Sequence, residues 1–223
     1  MRMRVSRPSR GVRRRSWRDA EFASLDFETT GLDLSRDTIV SFGVIPVRGG
    51  RVVLADAVRQ LVDPAMPPSV VSQKIHQLRP QDLAGAPRLE QARLVLRDAI
   101  RGRYLLVWYA DVEVNFLSAV FGTSVRSWRR RTIDVRNLAI EADGGPRSAR
   151  ADFGYGLTRA AARLGVPVAN PHDALDDALV TAQAFLILAT RLPAIGTEPS
   201  VGDLARLAAV GSGRVEQRFK LGV

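Results

Sequence analysis

Three observations in the 223-residue chain predict an α/β fold, a mixed sheet covered by helices. A Gly49-Gly50 pair joins two apolar runs, TIVSFGVIPV and RVVLADAVRQLV, as a hairpin would. Two later runs, YLLVWY and RTIDV, are each followed by a helical pattern, which is the strand–helix order of a layered sheet. An apolar content of 46% is enough to bury one core at this length.

The elements follow in order. FASLDFE is short and apolar, as a central strand would be, and the hairpin follows it. PAMPPSVVSQKIHQLRPQDLAGAP is interrupted by prolines and predicts loops and short helical turns. RLEQARLVLRDAI sets Leu89, Ala92, Leu96, Ala99 and Ile100 on one helical stripe. YLLVWY is a buried strand and EVNFLSAVF a helix, with Asp111 as its expected N-cap; RTIDV is a short strand and RNLAIEA a helix. GLTRAAARLGV is an amphipathic helix ending at Gly165, and DALDDALVTAQAFLILATRL is the longest helix, closed by Pro193. The expected organisation is a flexible basic arm over residues 1–19, one domain over 20–193, and an extension over 194–223. That extension holds one short helix, VGDLARLAAV, and a Gly-rich basic tail.

Composition excludes several classes of chemistry. With no cysteine there is no disulfide, thiolate metal site or cysteine nucleophile. The most apolar stretch, AFLILATRL, is too short to span a bilayer, so no membrane association is expected. The net charge of +10 is concentrated: residues 1–18 hold eight Arg and no acid, leaving 25 basic against 23 acidic residues elsewhere. Such an arm suits either a transit peptide or a phosphate-neutralising tail. A basic arm on a cytoplasmic protein is the expectation, with salt-sensitive binding to nucleic acid.

Two acids stand out in SLDFETTGLD. Asp26 and Glu28 are two apart on a strand and share a face. They are either a solvated strand end or a pair held by cations, and oxygen ligands without cysteine suit Mg²⁺ or Mn²⁺. His172 and Asp177 lie five apart in NPHDALDDALVTA, which inside a helix would separate them by about 140°. Asp173 is a good N-cap with Asp176 as its N3 partner. That register puts His172 outside the helix at N′ and Asp177 at N4, positions that meet. Glu113, in VWYADVEVNFL, falls early in a helix where a negative side chain suits the macrodipole.

SLDFETTGLD, VEVNFL and PHDALDDALVTAQAF together resemble the three motifs of the DEDDh 3′–5′ exonucleases. This DnaQ-like group includes the proofreading subunit of bacterial replicative polymerases, oligoribonuclease and RNase T. KIHQL, TIDVRNLA and GLTRAAARLGVPV resemble the segments between those motifs, so the likeness runs over residues 20–190. It implies an RNase H-like mixed central sheet flanked by helices. It also implies hydrolysis of nucleotides from 3′ ends of single-stranded DNA or RNA with two Mg²⁺ or Mn²⁺. Asp26 would bridge both ions, Glu28, Glu113 and Asp177 would complete their shells, and His172 would be the general base. Thr29, Thr30, Gly31 and Leu32 would hold the terminal nucleotide, Leu32 against its base. The second motif departs from the pattern: Glu113 replaces an Asp, and Trp108-Tyr109 replaces a His-Asn pair. That leaves an alternative, a weakly active or inactive module of the exonuclease fold that binds nucleic acid or a partner protein. In RSWRRR, Arg129, Arg130 and Arg131 are candidate contacts to a phosphate backbone, with Trp128 available to stack. A DNA polymerase subunit is a further candidate partner, although residues 194–223 show no docking segment for one.

Overall fold

The structure, a computed structural model, describes residues 15–144, 155–192 and 198–209. Its centre is strand β1 (Phe22–Thr29), antiparallel to β2 (Ile39–Arg48) and parallel to β5 (Tyr104–Val107). β6 (Thr132–Asp134) continues the parallel side, while β3 (Arg51–Val52) and β4 (Val58–Leu61) both pair with β2. The six strands form the mixed sheet the sequence predicts.

The second arm of the hairpin is not the single strand expected from RVVLADAVRQLV. A 3₁₀ turn at Leu54–Asp56 separates β3 from β4. The interruption lies opposite Pro46, whose carbonyl accepts from Val53 N at 2.9 Å but which has no N–H to return. Two shorter strands therefore share one edge of β2.

Alternation along β1 sorts the core into two layers. Ala23, Leu25 and Phe27 face α3 (Leu89–Ile100), α4 (Ala110–Phe121) and Trp128 of α5 (Val125–Arg129). Phe22 faces the other way, toward α6 (Val135–Ala142) and α8 (Ala174–Arg191). Ser24, Asp26 and Glu28 follow Phe22 on that second face, under α8. Buried alanines at 174, 178, 182, 184 and 189 let α8 lie close to the sheet, and Phe185 packs on Phe22 with ring centroids 4.9 Å apart. Two short helices, α1 (Val70–His76) and α2 (Pro80–Leu83), interrupt the proline-rich segment, and α7 (Leu157–Leu164) ends at Gly165 in the left-handed conformation. Among the described residues no helix is long and apolar enough to cross a membrane.

The arm boundary expected at residue 19 falls inside the packed body. Trp17 is 1% exposed and sits edge-on to Phe185 at 5.7 Å. Its backbone N donates to Pro199 at 3.2 Å, and Arg18 pairs with Glu198 at 2.5 Å. The expected extension helix is α9 (Val201–Leu207), whose Ser200 and Asp203 form a reciprocal capping box. Residues 15–20 and 198–209 thus close one end of the core together. The rest of the arm, residues 1–14, and the tail from 210 lie outside the described residues.

Candidate active site

The site forms where the C-terminal end of β1 meets the starts of α4 and α8. Asp26 and Glu28 point to one face of β1, opposite Gly43 and Ser41 of β2. The register shifts between Glu28 and Thr29, a bulge that turns the chain out of the sheet just past the second acid. The following turn is fixed at Thr30: its N donates to Thr38 O at 2.9 Å and its hydroxyl to Asp37 Oδ1 at 2.8 Å. Its carbonyl accepts from Ser69 N at 3.3 Å and Ser72 Oγ at 2.8 Å, which docks α1 beneath the turn. At Gly31 a Cβ would overlap the Asp37 carboxylate, which would have to move. Thr29 and Thr30 are buried, whereas Leu32 is 51% exposed, free to meet a flat partner.

α8 begins in the register expected. Asp173 is its N-cap and accepts from Leu175 N at 3.0 Å and Asp176 N at 3.2 Å. Asp176 differs from expectation: instead of closing a capping box it accepts from Asn170 Nδ2 at 2.6 Å. His172 lies outside the helix at φ 64°, and its N donates to Asp177 Oδ2 at 3.1 Å. The left-handed turn folds His172 back over the first turn of α8. As a result one ligand atom each of Glu28, His172 and Asp177 falls within 4.8 Å of the others.

Glu113 arrives from the other side. Asp111 is not the N-cap expected of it; α4 starts two residues earlier than that cap implies, at Ala110, with Tyr109 as the N-cap. Asp134 Oδ2 performs the capping instead, accepting from Ala110 N at 3.1 Å while its Oδ1 accepts from Asn137 N at 2.9 Å. Asp111 pairs with Arg129. Glu113 itself is 4% exposed and its Oε2 has no hydrogen-bond partner.

Electrostatics report the crowding. Burial first, then Glu28, Glu113, Asp177 and Asp173, lift the Asp26 carboxyl well above the usual range. Burial and then Asp177 and Asp173 raise Glu28 from 4.5 to about 8. Glu113 is pushed well up, chiefly by burial and then by Asp134, Asp111 and Glu28, against its own backbone hydrogen bond. Burial lifts Asp177 to about 6 against the stabilising His172 N–H. Among the described residues, no lysine or arginine is among the groups shifting these four acids. An acid cluster shielded from water and lacking a protein cation fits divalent metal ions held by oxygen, and the unpartnered Glu113 Oε2 is a ready ligand.

The arginine run is placed differently from expectation. Trp128 is fully buried, with Nε1 on Thr123 Oγ1 at 2.6 Å, so it has no face for a base. Arg131 is buried too and donates to the carbonyls of Ile100, at 2.8 Å, and Arg103. Arg129 is committed to Asp111, and Arg130 is half-buried as the C-cap of α5. Ring and guanidinium here serve the β5–β6 side of the core.

Three contributors were not evident from sequence. Asp37 holds the Thr30 turn, Asp134 holds the start of α4, and His76 at the end of α1 lies buried against the Thr29 backbone. Its Nδ1 accepts from Leu78 N at 3.0 Å, and burial, followed by the approach of His172, lowers the His76 pKa. The TIDVRNLA segment carried a signal for Asp134, an acid directly before a helix.

Residues 24–185 match the family described as Exonuclease, RNase_T. The chain belongs to this exonuclease family. A PolC-type DNA polymerase III of Thermotoga maritima is 31% identical over 182 residues, 80% of this chain and 12% of that protein. The 3′-5′ exonuclease DinG of Staphylococcus aureus is 25% identical over 174 residues, 75% of this chain and 18% of that protein. The chain thus spans less than a fifth of the length of these curated relatives. Among solved structures, the nuclease domain of 3′hExo bound to rAMP superposes with TM-score 0.62 at 18% identity, covering 77% of this chain and 92% of that one. E. coli exonuclease I with a dT13 oligonucleotide gives TM-score 0.63 at 17% identity, covering 77% and 41%. Both have the RNase H-like fold seen here.

Proposed function

We propose that the chain is a metal-dependent 3′–5′ exonuclease that removes nucleotides from single-stranded DNA or RNA ends. The observation that carries this is the convergence of Glu28, His172 and Asp177 beside Asp26 and the unpartnered Glu113. Asp26, Glu28, Glu113 and Asp177 would hold two Mg²⁺ or Mn²⁺ through their carboxylate oxygens. Such a pair, when bound, supplies charge stabilisation to the attacking and leaving oxygens of a phosphodiester. His172 in its neutral form accepts the proton of the attacking water at its imidazole. Leu32 packs against the terminal base, and the fixed Thr30–Gly31 turn sets how far a strand end enters. A wedge one nucleotide from the acids accounts for attack at an end rather than within the strand.

The relatives' names support the direction of digestion, and a solved neighbour's dT13 ligand supports a single-stranded substrate. The PolC likeness supports a replication setting, in which this chain would act beside a polymerase. The departures in the second motif, Glu113 and Trp108-Tyr109, favour a second reading, a binding module of low activity. One assay separates the two. A 3′-labelled and a 5′-labelled single strand are digested with Mg²⁺ or Mn²⁺ by wild type and Asp26→Ala. Stepwise shortening from the 3′ end by wild type alone is expected. Equal, negligible digestion by both proteins in both metals would leave the binding module.

A further inference from the structure

The antiparallel ladders place Asp26 of β1 opposite Gly43 of β2, and Gly43 opposite Arg59 of β4. Directly paired residues carry their side chains on one face, so these three form a row across the sheet beneath the start of α8. The middle position is bare for a reason. A Cβ at Gly43 would overlap the backbone of Ala174 and Leu175, so the first turn of α8 rests on the β2 backbone itself. On one side of that seat stand the acids of β1. On the other stands Arg59, whose Nη2 lies 2.5 Å from Asp173 Oδ2.

Asp173 is shared between two tasks. Oδ1 caps Leu175 N and Asp176 N, and Oδ2 takes Arg59. The residue before it is His172, in the left-handed conformation, and four residues after it is Asp177, which accepts the His172 N–H. The proposed base and a proposed metal ligand therefore both hang from a helix start whose sideways position is tied to β4. A cap alone fixes the helix to its own loop; it does not fix the loop to the sheet.

We propose that Arg59 is a positioning residue that sets His172 and Asp177 against Asp26 and Glu28 by holding Asp173 across Gly43. This deepens the exonuclease reading and rests on it for its functional consequence. Side chains 51% and 24% exposed make Arg59–Asp173 a pair of small thermodynamic weight. Its removal leaves the fold standing and loosens the registration of one turn.

The test combines kinetics with a signal from the metal-free protein. Arg59→Gln is expected to lower kcat roughly fivefold, the size an exposed ion pair can bias, with KM for an oligonucleotide unchanged. Arg59→Lys should restore most of the loss, and Arg59→Gln with Asp173→Asn should be no worse than Arg59→Gln alone. The chain has only two histidines, so the His172 ring protons are assignable by NMR after His172→Gln. In Arg59→Gln without metal they should shift or broaden, and the amides of residues 172–177 should exchange faster. A raised KM with kcat and the His172 signals unmoved would overturn the proposal, assigning Arg59 to substrate phosphate instead. Unchanged kinetics and unchanged spectra would overturn it as well. If wild type digests no nucleic acid, the exonuclease reading fails separately, while the spectra still decide whether Arg59 places the loop.

Discussion

Glu28→Gln in the metal-free protein tests the central claim, that the acids are held together against their own repulsion. Lifting the Glu28 carboxyl from 4.5 to about 8 means the folded state disfavours its charge by about 5 kcal/mol. Glu28 shares that cost with Asp26 and Asp177, which relax when it is neutralised, so a net effect of about 2–4 kcal/mol is expected. The sign follows from the raised folded pKa. The protonated group is compatible with the fold below 4.5, and stability is lost as pH rises toward 8. Urea unfolding in EDTA at pH 4.5 and pH 8.5 measures it. Wild type and Glu28→Gln should be nearly equal at the lower pH, and the variant about 2–4 kcal/mol more stable at the higher one. Saturating Mn²⁺ should reverse the order, because the ion binds the native wild type better. Equal stability at pH 8.5 in EDTA would show the acids to be solvated, and the reasoning would fail.

Glu113→Asp should reduce the rate by up to about 10²-fold, since withdrawing the carboxylate by about an ångström misplaces a ligand on a fixed helix; single-turnover digestion in Mn²⁺ checks it. Glu113→Gln should stabilise the metal-free protein once pH rises well past the ordinary carboxylate range while depressing activity, opposite signs that a purely structural residue would not give. Trp17→Ala should cost about 3–5 kcal/mol in urea unfolding, as for other buried aromatics, with kcat unchanged in buffer. A loss under about 1 kcal/mol would return Trp17 to the arm. Gly43→Ala should lower both stability and kcat, because the added methyl lifts the first turn of α8 from β2; hydrogen exchange at residues 174–178 reads the displacement.

The legible parts of the sequence were those governed by local rules. Two acids at i and i+2 on an apolar strand share a face whatever surrounds them, and Asp173 before a helical run is a cap by its own chemistry. From that cap the meeting of His172 and Asp177 follows without tertiary information. The illegible parts depended on long-range pairing. Arg59 sits in an unremarkable edge strand, and only the β2 ladder sets it across from Asp26. Trp17 stands in an arginine-rich stretch whose composition argued for solvent, and Phe185 lies far along the chain. RSWRRR misled for the converse reason: charge on the page implied exposure, yet Arg131 satisfies two backbone carbonyls inside the core.

The two departures in the second motif acquire a common explanation at the β5–α4 junction. Trp108 Nε1 donates to Tyr155 O at 3.1 Å, and the Tyr109 ring lies 4.5 Å from the Arg136 guanidinium. These aromatics tie the junction to the segment leading into α7 and to α6. Asp134 holds the first amide of α4, and Arg129 holds Asp111 one residue later. A helix fastened at each of these points cannot slide to compensate for a side chain of the wrong length. The Glu113 Oε2, buried and without a protein partner, carries a desolvation cost that a ligand would offset. A chain that had abandoned metal chemistry would gain stability by replacing that carboxylate with an amide or an apolar group. Its retention in the acid cluster favours a second motif rebuilt around a longer ligand over one that has decayed.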